Sequence, residues 1–125
     1  MMRPLCYIAG PYRAPEALFN DRDREAKVRD NVQKAAQASL LVAQRGWAPV
    51  CPHTMSGPID ALDANCALSD QDWLDITLAL CVKCDAILLL PGWAKSEGAR
   101  GEHRAMVELG RRTFFELNEV PEVAA

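Results

Sequence analysis

Leu5-Cys6-Tyr7-Ile8-Ala9 is an unbroken apolar run stopped by Gly10-Pro11. A run of that length closed by a turn dipeptide predicts a buried strand of a parallel sheet. From about Arg24 to Arg45 the spacing changes. Val28, Val32, Ala35, Ala36, Ser39, Val42 and Ala43 recur at helical intervals, and Gly46 stands where a helix C-cap belongs. Trp47 to Cys51 predicts a short strand interrupted by Pro49, and residues 52–69, rich in Pro, Gly, Ser and Asp, predict a loop. Ser69-x-x-Asp72 resembles a capping box ahead of the apolar stretch Trp73 to Val82, so a second helix should start near Asp70. Ala86-Ile87-Leu88-Leu89-Leu90, closed by Pro91-Gly92, has the pattern of a central strand covered on both faces. A third helix is expected from about Gly98 to Leu109 with Gly110 beyond its end, then a last strand within Thr113 to Leu117 and a loose tail from Asn118 to Ala125.

Strands alternating with helices predict an α/β fold: a single-domain three-layer sandwich, Rossmann- or flavodoxin-like, with a mostly parallel sheet of four to five strands. Ligands of such sheets bind outside the carboxyl ends of the strands. The segments to inspect are therefore Gly10 to Arg13, Pro52 to Met55, and Pro91 to Glu102.

Composition narrows the partners. The chain has 125 residues, 50% of them hydrophobic and 25% charged, enough for one domain with a core. A net charge of -3 lacks the concentrated basic surface that a polymeric nucleic acid demands, so the expected partner is a small molecule. No stretch approaches a membrane span, and Met1 to Pro15 has no signal-peptide succession, so no membrane partner and a cytoplasmic location are expected. The cysteines, Cys6, Cys51, Cys66, Cys81 and Cys84, are odd in number, and three lie in apolar runs, which argues against structural disulfides. Cys81-x-x-Cys84 has redox or zinc spacing but lacks a second pair and closes a helix rather than opening one, so no metal site is assigned.

On the third helix Glu102, Ala105, Met106 and Leu109 follow the i, i+3, i+4, i+7 stripe, which puts a carboxylate on the sheet-facing side. In the first turn, the helix dipole and unpaired N–H groups would keep it ionised, and an ionised, positioned carboxylate can act as a nucleophile. The plain alternative is dipole complementarity or an ion pair with Arg100 or Arg104. Ser96 and the backbone near Gly98 open the same helix and suit a phosphate or sugar hydroxyl, with ordinary N-capping as the alternative. Arg13 suits a 5′-phosphate, or is simply an exposed loop arginine. His53, after the second strand, suits contact with a base or proton relay, or is a loop histidine without a role.

Tyr7-Ile8-Ala9-Gly10-Pro11 together with Ser96-x-Gly98-x-x-x-Glu102 resembles the hallmarks of the nucleoside 2-deoxyribosyltransferase superfamily, most closely an uncharacterised family in it with Gly-Trp, here Gly92-Trp93, before the serine. The resemblance implies that Glu102 is a nucleophile toward C1′ of a deoxyribosyl group and that Tyr7 orients it or contacts the sugar. It brings Gly10, Pro11 and Trp93 to the substrate side. The family's helix aspartate falls on Asp75 by its distance from Cys84, with Asp72 as rival. Asp75 lies among Leu74, Ile76, Leu78 and Ala79, where burial would raise its pKa and make it a proton donor; Asp72 more simply completes the capping box. Residues 52–69 and 13–23 match no substrate-binding pattern of the family. A homo-oligomer, dimer or tetramer, is implied by the same resemblance.

The function expected is hydrolysis or transfer of the N-glycosidic bond of a nucleoside or its 5′-monophosphate by double displacement, with no cofactor. The alternatives are a sensor that binds a nucleotide or ribosyl ligand without turnover, and a redox or metal module on Cys81 and Cys84.

Overall fold

The computed structural model describes residues 2–13 and 20–124. Met1, Ala125 and residues 14–19, within the stretch expected to diverge around Arg13 to Asp23, lie outside the described residues. Four parallel strands, β1 (Leu5–Ala9), β2 (Ala48–Val50), β3 (Ala86–Leu89) and β4 (Arg112–Phe114), form one sheet in the order β2-β1-β3-β4. The α/β three-layer sandwich read from the sequence is the fold.

The strand alternation assigns the layers. Cys6, Ile8, Ala86 and Leu88 face helix α1 (Asp21–Gln44) and pack with Ala35, Val42 and Trp47. Tyr7, Ala9, Ile87 and Leu89 face the opposite way, toward helices α4 (Asp70–Cys81) and α5 (Glu97–Glu108), and pack with Cys81, Ala99 and Met106. The connections thus lie on one face for β1 to β2 and on the other for β3 to β4. The winding reverses between β1 and β3, the place where open α/β sheets hold ligands at the strand ends.

Several boundaries differ from expectation for local reasons. Helix α1 starts at Asp21 rather than near Arg24 because Asn20 caps it, its side-chain oxygen accepting from Asp23 N at 2.7 Å. The stretch expected to be loop contains α2 (Pro52–Met55) and α3 (Gly57–Leu62), each with a proline in its first positions. Proline fixes a helical φ where no N–H is needed, and helices of one or two turns are too short to leave a periodic trace. Strand β4 ends at Phe114, and a 3-10 turn follows at Leu117–Glu119. At α4 the capping box is complete: Ser69 Oγ accepts from Asp72 N at 3.0 Å and Asp72 accepts from Ser69 N at 2.8 Å.

The tail is not loose. Val120 is buried, Trp47 Nε1 donates to Pro121 O at 2.8 Å, Arg45 donates to Val120 O at 2.7 Å, and Val123 N donates to Arg45 O at 2.7 Å. Gly46 makes this docking possible. It has a φ of 94°, and a Cβ there would sit 2.4 Å from Val123 O. Replacing Val120 by alanine should therefore lower unfolding stability by about 2 kcal/mol, as a lower urea midpoint at unchanged slope. A change below about 0.5 kcal/mol would mean that the tail is only laid on the surface. Among the described residues no helix is long and apolar enough to cross a membrane.

Candidate functional site

At the switch point, Gly10-Pro11 leaves β1 beside Leu90 to Trp93 leaving β3. Gly10 lets the two exits approach, since a Cβ would lie 2.9 Å from Leu90 Cβ, and Gly92, with a φ of 87°, turns the chain beneath Pro11. Below them is a buried polar cluster. Glu102 is 7% exposed, and its Oε2 accepts a short hydrogen bond from the fully buried Tyr7 hydroxyl. Tyr7 reaches it because the odd positions of β1 face α5.

Glu102 is the sixth residue of α5, not part of the first turn, because the helix begins at Glu97 behind Ser96. The dipole therefore does not set its charge as expected, because that influence falls off within the first turn. Burial does. It pushes the carboxyl up to about 7, against the hydrogen bond from Tyr7, the neighbouring Thr77 and the nearby His53, so the group stands near half-ionised at neutral pH rather than fully ionised. The same burial and the facing carboxylate push the Tyr7 phenol far up, leaving it a hydrogen-bond donor.

Thr77 is the member of this cluster that sequence reasoning missed. Its hydroxyl donates to Leu74 O at 3.3 Å and is within reach of both Tyr7 and Glu102. Thr77 lies one turn before the buried Cys81, on the inner face of α4. That helical phase was the available signal. Asp75, chosen by its distance from Cys84, is turned away from this face: it is exposed and accepts from Gln71 Nε2 at 2.9 Å, so the expected burial is absent. Asp72 is occupied by the capping box. Replacing Asp75 with asparagine should accordingly change any activity of the Glu102 site by less than about twofold, whereas Thr77→Val should lower it about tenfold, read as initial rates at equal protein.

His53 does join the site. It is 4% exposed on α2, its Nε2 donates to Pro11 O at 2.9 Å, and the Tyr12 ring meets it edge-on at 5.6 Å. Burial alone would lower its pKa, but the Cys51 thiol, the Pro11 carbonyl and the Glu102 carboxylate outweigh burial and raise it. Three other expected residues are drawn into local structure. Ser96 caps α5, its Oγ accepting from Ala99 N at 3.3 Å. Gly98 packs under α4, where a Cβ would lie 3.0 Å from Leu74 Cδ2. Arg13 pairs with Asp70 at 2.9 Å on the surface. Trp93 is half-buried and belongs to an aromatic cluster with His103, at 5.0 Å, and Phe115, at 6.2 Å.

A cavity of about 580 Å³ lined by Tyr12, Arg13, Arg24, Arg29 and Asp60 does not include Glu102 and touches the polar cluster through Tyr12. Among the described residues it is the cluster, not this cavity, that combines buried proton donors with a buried carboxylate. Among the described residues no group of three or more His, Cys, Asp or Glu is arranged to hold a metal ion. Cys81 and Cys84, at the end of α4, are fully buried, and burial raises both thiols.

No curated protein matches the chain at a significant level. The family model described as a domain of unknown function, DUF4406, matches residues 5–115, from the first residue of β1 to just past β4, and the chain belongs to that family.

Proposed function

We propose that the protein cleaves or transfers the N-glycosidic bond of a nucleoside or nucleoside 5′-monophosphate, with Glu102 as nucleophile. One observation carries the reading: a buried carboxylate at the β1/β3 switch point, held by a tyrosine hydroxyl. The resemblance of Tyr7 to Pro11 and of Ser96 to Glu102 to the nucleoside 2-deoxyribosyltransferase superfamily supports it. The carboxylate attacks C1′, the bond to the base breaks, and a glycosyl ester forms on Glu102; water or a second base then takes C1′ back. Tyr7 holds the carboxylate through its hydroxyl, with Thr77 beside it. His53, at the same edge with a raised pKa, suits protonation of the departing base, as Asp75 does not. In the neighbouring cavity Arg13, Arg24 and Arg29 outnumber Glu25 and Asp60, a balance that favours a 5′-monophosphate over the bare nucleoside, for which Arg13 would exchange its surface ion pair with Asp70.

Release of free base from a panel of nucleosides and their 5′-monophosphates, in ribo and deoxyribo form, tests the reading. Release from one class, faster with the phosphate, is expected; no release from any member although ligands bind would refute it. That second outcome would favour a ligand sensor, for which one observation speaks: Glu102 is 7% exposed and already held by the Tyr7 hydroxyl.

A further inference from the structure

Residues 52–82, which build α2, α3 and α4, hold five aspartates, Asp60, Asp63, Asp70, Asp72 and Asp75, and no lysine or arginine. With the whole chain at -3, this segment is its acidic pole. Arg13, from the segment after β1, pairs with Asp70. Within the acidic surface an apolar groove of about 260 Å³ runs between α2–α3 and α4, lined by Met55, Ile59, Leu68, Trp73, Ile76 and Leu80. Trp73, Ile76 and Leu80 share it because they stand at i, i+3 and i+7 of α4. Ile59 is 57% exposed. An anionic nucleotide does not suit this surface. The occupant that does carries apolar side chains flanked by lysine or arginine.

The chain presents such a surface itself, on the next helix of the same layer. Arg100, Arg104 and Val107 stand at i, i+4 and i+7 of α5, on the side away from the buried Ala99, Glu102 and Met106. Val107 is 56% exposed, and the half-exposed Phe115 meets His103, one turn before Val107, at 5.8 Å. The exposed Lys95 and Arg112 extend the basic surface, against Glu97 and Glu108. Helices α4 and α5 pack side by side, with Gly98 under Leu74. Across this layer the order is therefore groove, α4, α5 and the Phe115 edge.

We propose that the groove is covered by a second copy of this chain, in a two-fold dimer whose axis runs between α4 and α5. An axis lying in the plane of contact sets α4 of each copy over α5 of the other. Asp72 and Asp75 on the outer side of α4 then oppose Arg100 and Arg104, and the groove beyond α4 receives Val107 and Phe115. Opposite charges fix the register, and the apolar side chains supply the burial. Each contact is made twice, which brings two small patches toward the roughly 1,200 Å² or more of a stable interface.

The test is analytical ultracentrifugation of the full chain with two variants at exposed positions, Ile59→Lys in the groove and Val107→Glu on α5. The wild type should be a dimer at about 0.1 mM, with a dissociation constant that rises with salt. Each variant alone should raise that constant at least about a hundredfold and sediment as a monomer, since lysine meets the basic face and glutamate the acidic groove. An equimolar mixture of the two should restore the dimer. One of its two contacts sets lysine against glutamate, and the other is unaltered. A wild-type monomer at about 0.1 mM would overturn the proposal and leave the groove to a different protein. A dimer that both variants keep, or a mixture that stays monomeric, would also overturn it, and growth beyond the dimer would exclude the two-fold arrangement. Should either charge unfold the chain, as seen in its urea curve, Ile59→Ser or Val107→Ser takes its place, with an expected weakening of about tenfold and an unchanged constant overturning the proposal. Base release enters none of these measurements, so failure of the glycosyl reading leaves them intact.

Discussion

Glu102→Gln should reduce base release by about a thousandfold or more, because the amide keeps the shape and the Tyr7 contact while removing the attacking charge. The wild-type rate should have a distinctive pH dependence. A nucleophile must be ionised, and burial holds this carboxyl up to about 7, so kcat/KM should rise with pH through about 7 rather than through the ordinary carboxylate range, and fall again as His53 loses the proton it gives the base. Tyr7→Phe should act less severely, by about tenfold to a hundredfold, since it removes orientation but leaves the carboxylate in place. A Glu102→Gln protein that folds and retains more than about a tenth of the wild-type rate would exclude the carboxylate from the chemical step.

The second large effect is on stability. Glu102 holds its proton in the folded chain up to about pH 7 and releases it in the unfolded chain near 4.5. Between those values the unfolded state binds fewer protons, so stability falls as pH rises and levels off above about 7. The total is on the order of 3 kcal/mol. Glu102→Gln lacks this slope. It should be more stable than the wild type at about pH 8, by up to about 3 kcal/mol, and close to it at about pH 4.5, measured as urea midpoints across that range. Cys51, lowered from 9.0 to about 7, acts in a different window and with the opposite sign: its contribution appears as pH rises from about 7 to 9. It is present in both proteins and largely cancels in their difference. Parallel wild-type and variant profiles between about pH 4.5 and 7 would show that Glu102 titrates normally.

What the sequence made legible was the part written in long-range periodicity. The apolar runs at Leu5 to Ala9 and Ala86 to Leu90 have no polar face, which is the mark of strands covered on both sides, and the α1 stripe needed only a boundary shift set by Asn20. Glu102 stood out because a carboxylate broke an apolar stripe, and burial bears out that placement. Its charge was misjudged because dipole and desolvation pull in opposite directions, and which wins depends on depth that a helical wheel does not contain. Asp75 and Thr77 show the same limit on a smaller scale. Chemistry favoured the aspartate, while the helical phase relative to Cys81 brings the threonine inward. The docked tail and the one- and two-turn helices after β2 rest on tertiary hydrogen bonds, such as Trp47 to Pro121, and on proline-set φ angles, neither of which leaves a periodic signature.

The glycosyl ester on Glu102 is the most direct measurement of the central claim. The wild-type protein would be incubated with a 2′-fluoro-substituted analogue of the substrate found in the base-release panel, which slows departure of the sugar from the enzyme, then quenched and mapped by mass spectrometry. The account requires one sugar adduct, on the peptide bearing Glu102 and absent from Glu102→Gln. Release of base with no adduct, or an adduct on any other residue, would contradict it.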